Sequence, residues 1–138
     1  MASNIKLPSW PEGTIVILVT AGSRPHAIPV SAAQRAGDDR VLVGLARSRE
    51  SLRRLREDPQ VTLTVCAQGC AFSADGRAVV VQEQLTDRVA AIEVHVSEIH
   101  DHMRATFELQ EGTRWRWTDP DAARADAEVR TALRHLAG

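Results

Sequence analysis

Arginines gather where a helix should begin. The run Arg47-Ser48-Arg49-Glu50-Ser51-Leu52-Arg53-Arg54-Leu55-Arg56-Glu57-Asp58-Pro59 follows a strand-sized apolar block, Val41 to Ala46, and Leu52 and Leu55 in it recur at helical spacing. Ser48 reads as the cap of this short helix and Asp58-Pro59 as its end. The first N–H groups of a helix lack an intrahelical partner, and the helix dipole favours an anion beside them. With Arg47, Arg49, Arg53 and Arg54 adding charge, the pattern suits capture of a phosphate. Taken alone, an ordinary amphipathic helix with a solvated Arg-rich face has the same pattern.

The other chemistry-bearing residues form no closed set. His100 and His102 point the same way on an extended strand, with Glu98 and Asp101 nearby, but two ligands at a strand end fall short of a metal site, and the segment reads as a solvated end. No metal is expected. Cys66 and Cys70 fit neither a redox pair nor a zinc knuckle and read as small apolar fillers. Trp115 and Trp117 share one face if Arg114 to Trp117 is extended, and suit either stacking on a bound ring or burial against a second subunit. Gly-x-Ser-x-Gly, a Walker loop and Gly-x-Gly-x-x-Gly are all absent, so serine hydrolysis and nucleotide-loop chemistry have no support.

Period and punctuation set out the elements that must position these groups. Thr14 to Thr20 is apolar without alternation, as in a central strand covered on both sides, and Ala21-Gly22-Ser23 turns it back. Arg24 to Val30 follows, with Pro29 placing it at an edge or bulge. Ala36-Gly37-Asp38-Asp39 turns into the strand at Val41, and Val61 to Val65 is the strand after the helix. Asp75-Gly76 allows a hairpin or a glycine bulge, and the bulge within a continuous strand is preferred. From Val89 to Ile99, Ile92, Val94, Val96 and Ile99 should face inward and Glu93, His95, Ser97 and Glu98 outward. Asp119-Pro120 then caps and opens a helix reaching about Leu136, with Ala122, Val129, Leu133 and Leu136 as its apolar stripe.

This order of strands and helix, continued by Ser73-Ala74-Asp75-Gly76-Arg77-Ala78-Val79-Val80 and Ile92 to Ile99, resembles the pyridoxamine 5′-phosphate oxidase-like flavin-binding split β-barrels over residues 10 to 103. The resemblance implies a mainly β (α+β) fold, a six-stranded split barrel with short helices, in one domain over residues 1–138 whose Trp segment and C-terminal helix occupy 104–138. It also implies a homodimer with a cofactor cleft at each interface. In that family the strand-to-helix corner holds a cofactor phosphate and the second strand lies along the isoalloxazine ring. Carried over by position, the cofactor residues are His26, Ile28, Pro29 and Val30, then Gly44, Leu45 and Ala46, then Arg47, Arg49, Ser51 and Arg53. Where relatives often carry Ser-Arg-Lys, this chain has Arg49-Glu50-Ser51.

The implied activity is that of an oxidoreductase using FMN, or the related deazaflavin coenzyme, to pass hydride to a small conjugated substrate. Catalytic residues are not assigned. The alternatives are a non-catalytic flavin- or haem-binding protein and a cofactor-free dimer. Composition narrows the partners: 17 basic residues, all but Lys6 arginine, against 18 acidic ones give no field to attract nucleic acid. No apolar run is long enough to span a bilayer, and the N-terminal residues lack a signal-peptide layout, so a cytoplasmic protein is expected.

Overall fold

The computed structural model of the chain describes residues 4–138. Its strands are β1 (Val16–Thr20), β2 (His26–Val30), β3 (Ala33–Arg35), β4 (Arg40–Ala46), β5 (Gln60–Ala67), β6 (Cys70–Gln82) and β7 (Val89–Asp101). Helix α1 (Glu50–Glu57) lies between β4 and β5, and α2 (Pro120–Ala137) ends the chain. The strands form one antiparallel sheet of seven in the order β2-β1-β5-β6-β7-β4-β3.

The two outermost strands of that order are consecutive in the chain. Only Ser31 and Ala32 separate β2, which pairs with β1, from β3, which pairs with β4. The Gly44 N–H donates to the Ala32 carbonyl at 2.9 Å, so contact with β4 begins within the connection itself. One extended segment thus changes partners at Ser31-Ala32 and curls the sheet round on itself. This is why there are seven strands and not the six expected: β3 is three residues without an apolar period, defined by its partner rather than by its own sequence.

Apolar side chains from the strands fill the interior, among them Val16, Leu18, Val41, Val43, Leu63, Phe72, Ile92 and Val94. On β1, Val16, Leu18 and Thr20 are buried while Ile17 and Val19 are half-buried, so its outer face is only partly covered, contrary to the expectation from its unbroken apolar run. Pro29 is exposed on β2, whose free side gives an imino acid nothing to donate to. Helix α1 seats Leu52 and Leu55 in the core. Ser48 does not cap it. The N-cap is Arg49, with no side-chain hydrogen bond, because the Arg49 N–H is already turned back to the Ala46 carbonyl at 2.9 Å and the helix starts one residue late.

Strand β6 runs unbroken through Asp75-Gly76, as the bulge reading required. The extra residue belongs to its partner: Asp75 faces Glu98 and Gly76 faces Val96, leaving Ser97 of β7 unmatched. The Ser97 hydroxyl donates to the Asp75 carbonyl at 3.2 Å. The slip explains why Ser97 and Glu98 both face outward between the inward Val96 and the half-buried Ile99.

Helix α2 packs on the outer face. Val129 and Leu133 close a second cluster with Ala32, Ala36, Leu42 and Ala91. Asp119 caps it by accepting from the Asp121 N–H at 3.0 Å, and Pro120 is the first helical residue. Leu136 is exposed, contrary to the expected stripe; the row that packs on the sheet runs from Leu133 to the half-buried Ala137, four residues on. No helix among the described residues is long and apolar enough to cross a membrane.

Cys66 pairs with Ala71 and Ala67 with Cys70, which puts the two cysteines on opposite faces of the β5–β6 hairpin. Only Cys70 acts as a filler against the core; Cys66 is exposed. Burial, then the neighbouring Asp101 and Cys66, push the Cys70 thiol up. Limited iodoacetamide treatment at neutral pH should therefore label Cys66 first, since the thiolate is the reactive form. Peptide mass spectrometry showing equal or reversed rates would contradict this arrangement. At Gly76, an added Cβ would lie well inside contact distance of the His95 carbonyl oxygen and 3.0 Å from its carbon. Gly76→Ala is expected to cost about 1–3 kcal/mol by strain, read as a lower midpoint in chemical denaturation.

Candidate functional site

The strand-to-helix corner, the β2 edge and the C-terminal third of the chain meet around one groove of about 1000 Å³. Its floor is Pro29, Val30, Ser31 and Ala32 with Gly44, Leu45 and Ala46 of β4. One wall is the loop Leu85 to Val89; the other is Trp115, Arg116 and Trp117 with the α2 residues Ala122, Ala125 and Val129. Each wall follows from local sequence. The glycine at 44 lets α2 approach: a Cβ there would stand 2.7 Å from Val129 Cγ1. Trp115 is half-buried and anchored, its indole N–H donating to the Gly13 carbonyl at 2.8 Å and its ring lying 5.7 Å from the Arg130 guanidinium carbon. Trp117 meets it edge-on at 5.3 Å between centroids. The two indoles share one face, although residues 102–117 form no regular element.

Of the residues carried over from the sequence, the groove collects Pro29, Val30, Gly44, Leu45, Ala46 and Arg49. Arg47 lines a neighbouring cleft of about 740 Å³ with Ser48, Leu52, Arg56 and Glu83, and that cleft shares Ala46, Asp87 and Arg88 with the groove. His26 and Ile28 lie outside both; Ile28 points into the barrel core. Ser51 is buried beside Leu52 and Leu55, and its hydroxyl has no hydrogen-bond partner among the described residues.

Charge is divided unevenly around the corner. Arg53 binds Glu50 at 2.7 Å and Glu57 at 2.9 Å along the exposed side of α1. Its hydrogen bond, and then the charge of Arg54, hold the Glu50 carboxyl below the ordinary range, while Glu50 and Glu57 raise the Arg53 guanidinium further. Arg54 donates to the Arg24 carbonyl at 2.8 Å. Arg49, Arg88 and Arg116, which all line the groove, have no carboxylate within ion-pair reach among the described residues. Arg88 stands beside the corner because its carbonyl accepts from the Arg47 N–H at 2.8 Å. Among the groove acids, Asp126 is committed to Arg130 and to the Ser31 hydroxyl, the latter at 3.0 Å.

Sequence reasoning missed Arg88 and Arg116 as members of this site. Arg88 sits in a short polar loop with no motif around it, and only its backbone bond to Arg47 reveals the proximity. Arg116 is flanked by the two indoles, and that alternation was the available signal. A largely apolar slot edged by an indole pair, with guanidiniums at the corner that have no ion-pair partner among the described residues, has the chemistry to suit a planar ring that carries an anionic group.

No family model and no curated protein matches the chain. Solved structures do. A Listeria innocua protein assigned as a pyridoxamine 5′-phosphate oxidase is 12% identical, with a TM-score of 0.55 over 64% of this chain and 88% of that one. An F420 reductase is 12% identical, with a TM-score of 0.55 over 68% of this chain and 98% of its own. HutZ, the haem storage protein of Vibrio cholerae, is 13% identical, with a TM-score of 0.53 over 65% and 87%. At such identities the likeness concerns the backbone, and the common backbone is the one described above. The chain has the split β-barrel fold of the pyridoxamine 5′-phosphate oxidase-like proteins.

Proposed function

We propose that the chain is a flavin-type oxidoreductase, working as a homodimer, with FMN or the related deazaflavin coenzyme held in the groove between β4, the β2 edge and α2. The carrying observation is the pairing of an apolar slot with guanidiniums that have no carboxylate within ion-pair reach among the described residues, although Asp87 and Glu128 also line the groove. The residues fit such a group. Arg49 and Arg88 would take its phosphate, since a guanidinium fork makes two parallel hydrogen bonds to phosphate oxygens. Pro29, Leu45 and Ala46 would form the dry wall of the ring, and Trp115 and Trp117 would exclude water from the other side. Arg53 is not the phosphate ligand in this reading, because it already spans Glu50 and Glu57.

When bound, the cofactor supplies the hydride chemistry; the chain supplies anion capture, orientation and a water-poor slot. A small conjugated molecule lying between the ring and the indole pair is the substrate this arrangement favours. Haem fits less well. Among the described residues no His, Cys or Met lines the groove, so within one chain an iron porphyrin would find no axial ligand of those types there. Flavin reductase, F420 reductase and haem storage proteins all share the backbone, which makes this difference in lining the more useful guide.

Titration of the purified chain with FMN, the deazaflavin coenzyme and haem separately, followed by fluorescence or absorbance, tests the reading. Saturable binding of one of the first two is expected. Arg49→Ala should weaken it by about 10- to 100-fold, the loss of one charge-assisted contact of ~1.5–3 kcal/mol. Arg53→Ala should change it little. Failure of both flavin-type compounds to bind, or an unchanged affinity in Arg49→Ala, would refute the assignment.

A further inference from the structure

We propose that Asp75, Glu98 and His100 form a binding site for a divalent transition-metal ion, zinc by preference, on the outer face of the β6–β7 ribbon, away from the groove. The sequence offers only a fragment of this set. Glu98 and His100 are two residues apart on β7 and so share a face, which leaves the pair short of a third ligand. Register supplies it. Asp75 of β6 lies directly opposite Glu98 and diagonally from His100, which pairs with Ser73, so the Asp75 side chain is within reach of both. The unmatched Ser97 makes this possible. It shifts the phase of β7 by one residue, so that Glu98 comes out on the solvent side together with His100.

The distances have the right scale. Zinc bonds of ~2.0–2.1 Å with tetrahedral angles set neighbouring ligand atoms ~3.3 Å apart. His100 Nε2 lies 3.0 Å from Asp75 Oδ2 and 3.7 Å from Glu98 Oε1, on either side of that value. One ligand atom from each of the three residues falls within 4.8 Å of the others. Two carboxylates and an imidazole form a mixed oxygen and nitrogen set, which suits zinc and its first-row neighbours better than calcium or magnesium.

A supporting shell is present. The Thr62 hydroxyl on β5 donates to Asp75 Oδ1 at 2.7 Å, fixing the carboxylate and leaving Oδ2 to the imidazole. Thr62 and Asp75, with Gly76, Arg77 and Ser97, also line a cleft of about 540 Å³, so water or a small anion has access to complete the coordination. With all three ligands partly exposed, the ion would be held less tightly than in a closed structural site.

Zinc chloride titrated into the metal-free protein, by calorimetry and by thermal melting, decides the matter. One ion per chain and a rise in melting temperature are expected. His100→Ala and Asp75→Asn should each weaken binding by about tenfold or more, and Thr62→Val, which removes only the support of Asp75, by roughly 10- to 100-fold. His135→Ala, on the exposed side of α2, serves as the control and should leave affinity unchanged. Absence of saturable binding, unchanged affinity in His100→Ala, or one ion shared by two chains would each overturn the site. FMN binding is read independently on the same variants, so failure here leaves the groove assignment standing, and the reverse also holds.

Discussion

Everything in this structure depends on the partner change at Ser31-Ala32. An antiparallel sheet of this length has two raw edges, each a row of unpaired backbone groups. Here one continuous segment covers the exposed sides of both β1 and β4, bonding to β1 over His26 to Val30 and to β4 over Ala33 to Arg35, and leaves only its own outer side free. The corner keeps the Ala32 carbonyl in contact with Gly44, and that same pair of residues forms the floor on which α2 sits. Closure of the barrel and construction of the groove are therefore one event. A side chain larger than glycine at 44 would disturb both, because Val129 already occupies the adjacent space.

The second constraint is the slip between β6 and β7. These are the two longest strands, and a ribbon of thirteen residues on each side cannot stay flat while the sheet curls around it. One unmatched residue, Ser97, relieves the mismatch at the point where Gly76 admits the His95 backbone. A further irregularity between Val80 and Gln82 does the same nearer the other end. Strain is thus dispersed into two local features, and the side chains displaced by the first one carry the polar row Asp75, Glu98 and His100.

Much of this architecture was legible in the chain. The apolar blocks gave the principal strands and Pro29 an edge or bulge, of which the edge is found; the irregularity expected at Asp75-Gly76 is there, but its extra residue is Ser97 of β7. What escaped was set by contacts between distant segments. β3 exists only because β4 is beside it. Leu136 looked like core because residues 129, 133 and 136 fit a helical stripe, yet Ala137 is the residue that packs against the second cluster. Ser48 looked like a cap because the preceding turn, which delays the helix, leaves no mark in the sequence. Of the residues that line the groove, Pro29, Val30, Gly44, Leu45, Ala46 and Arg49 were named through the resemblance, while His26, Ile28, Arg47, Ser51 and Arg53 were named with them and lie outside it; the loop carrying Arg88 was not named, since its place comes from a backbone bond across the corner.

The arginines show why composition is a poor guide to a binding site. Counting charge around α1 would favour Arg53 and Arg54 as anion ligands, because both lie on the helix that offers its N-terminus. Yet Glu50 and Glu57 already saturate Arg53, and the Arg24 carbonyl takes a donor of Arg54. An incoming phosphate would have to break these contacts and would gain only the difference. Arg49 sits one residue before the helix, where its backbone is extended and its side chain is clear of the i to i+4 ladder of α1, and Arg88 comes from another loop altogether. Guanidiniums with no ion-pair partner among the described residues give up chiefly water when they meet an anion. Placement off the helix is what keeps them free, and the Glu50 that departs from the usual triplet neutralises Arg53 without reaching them.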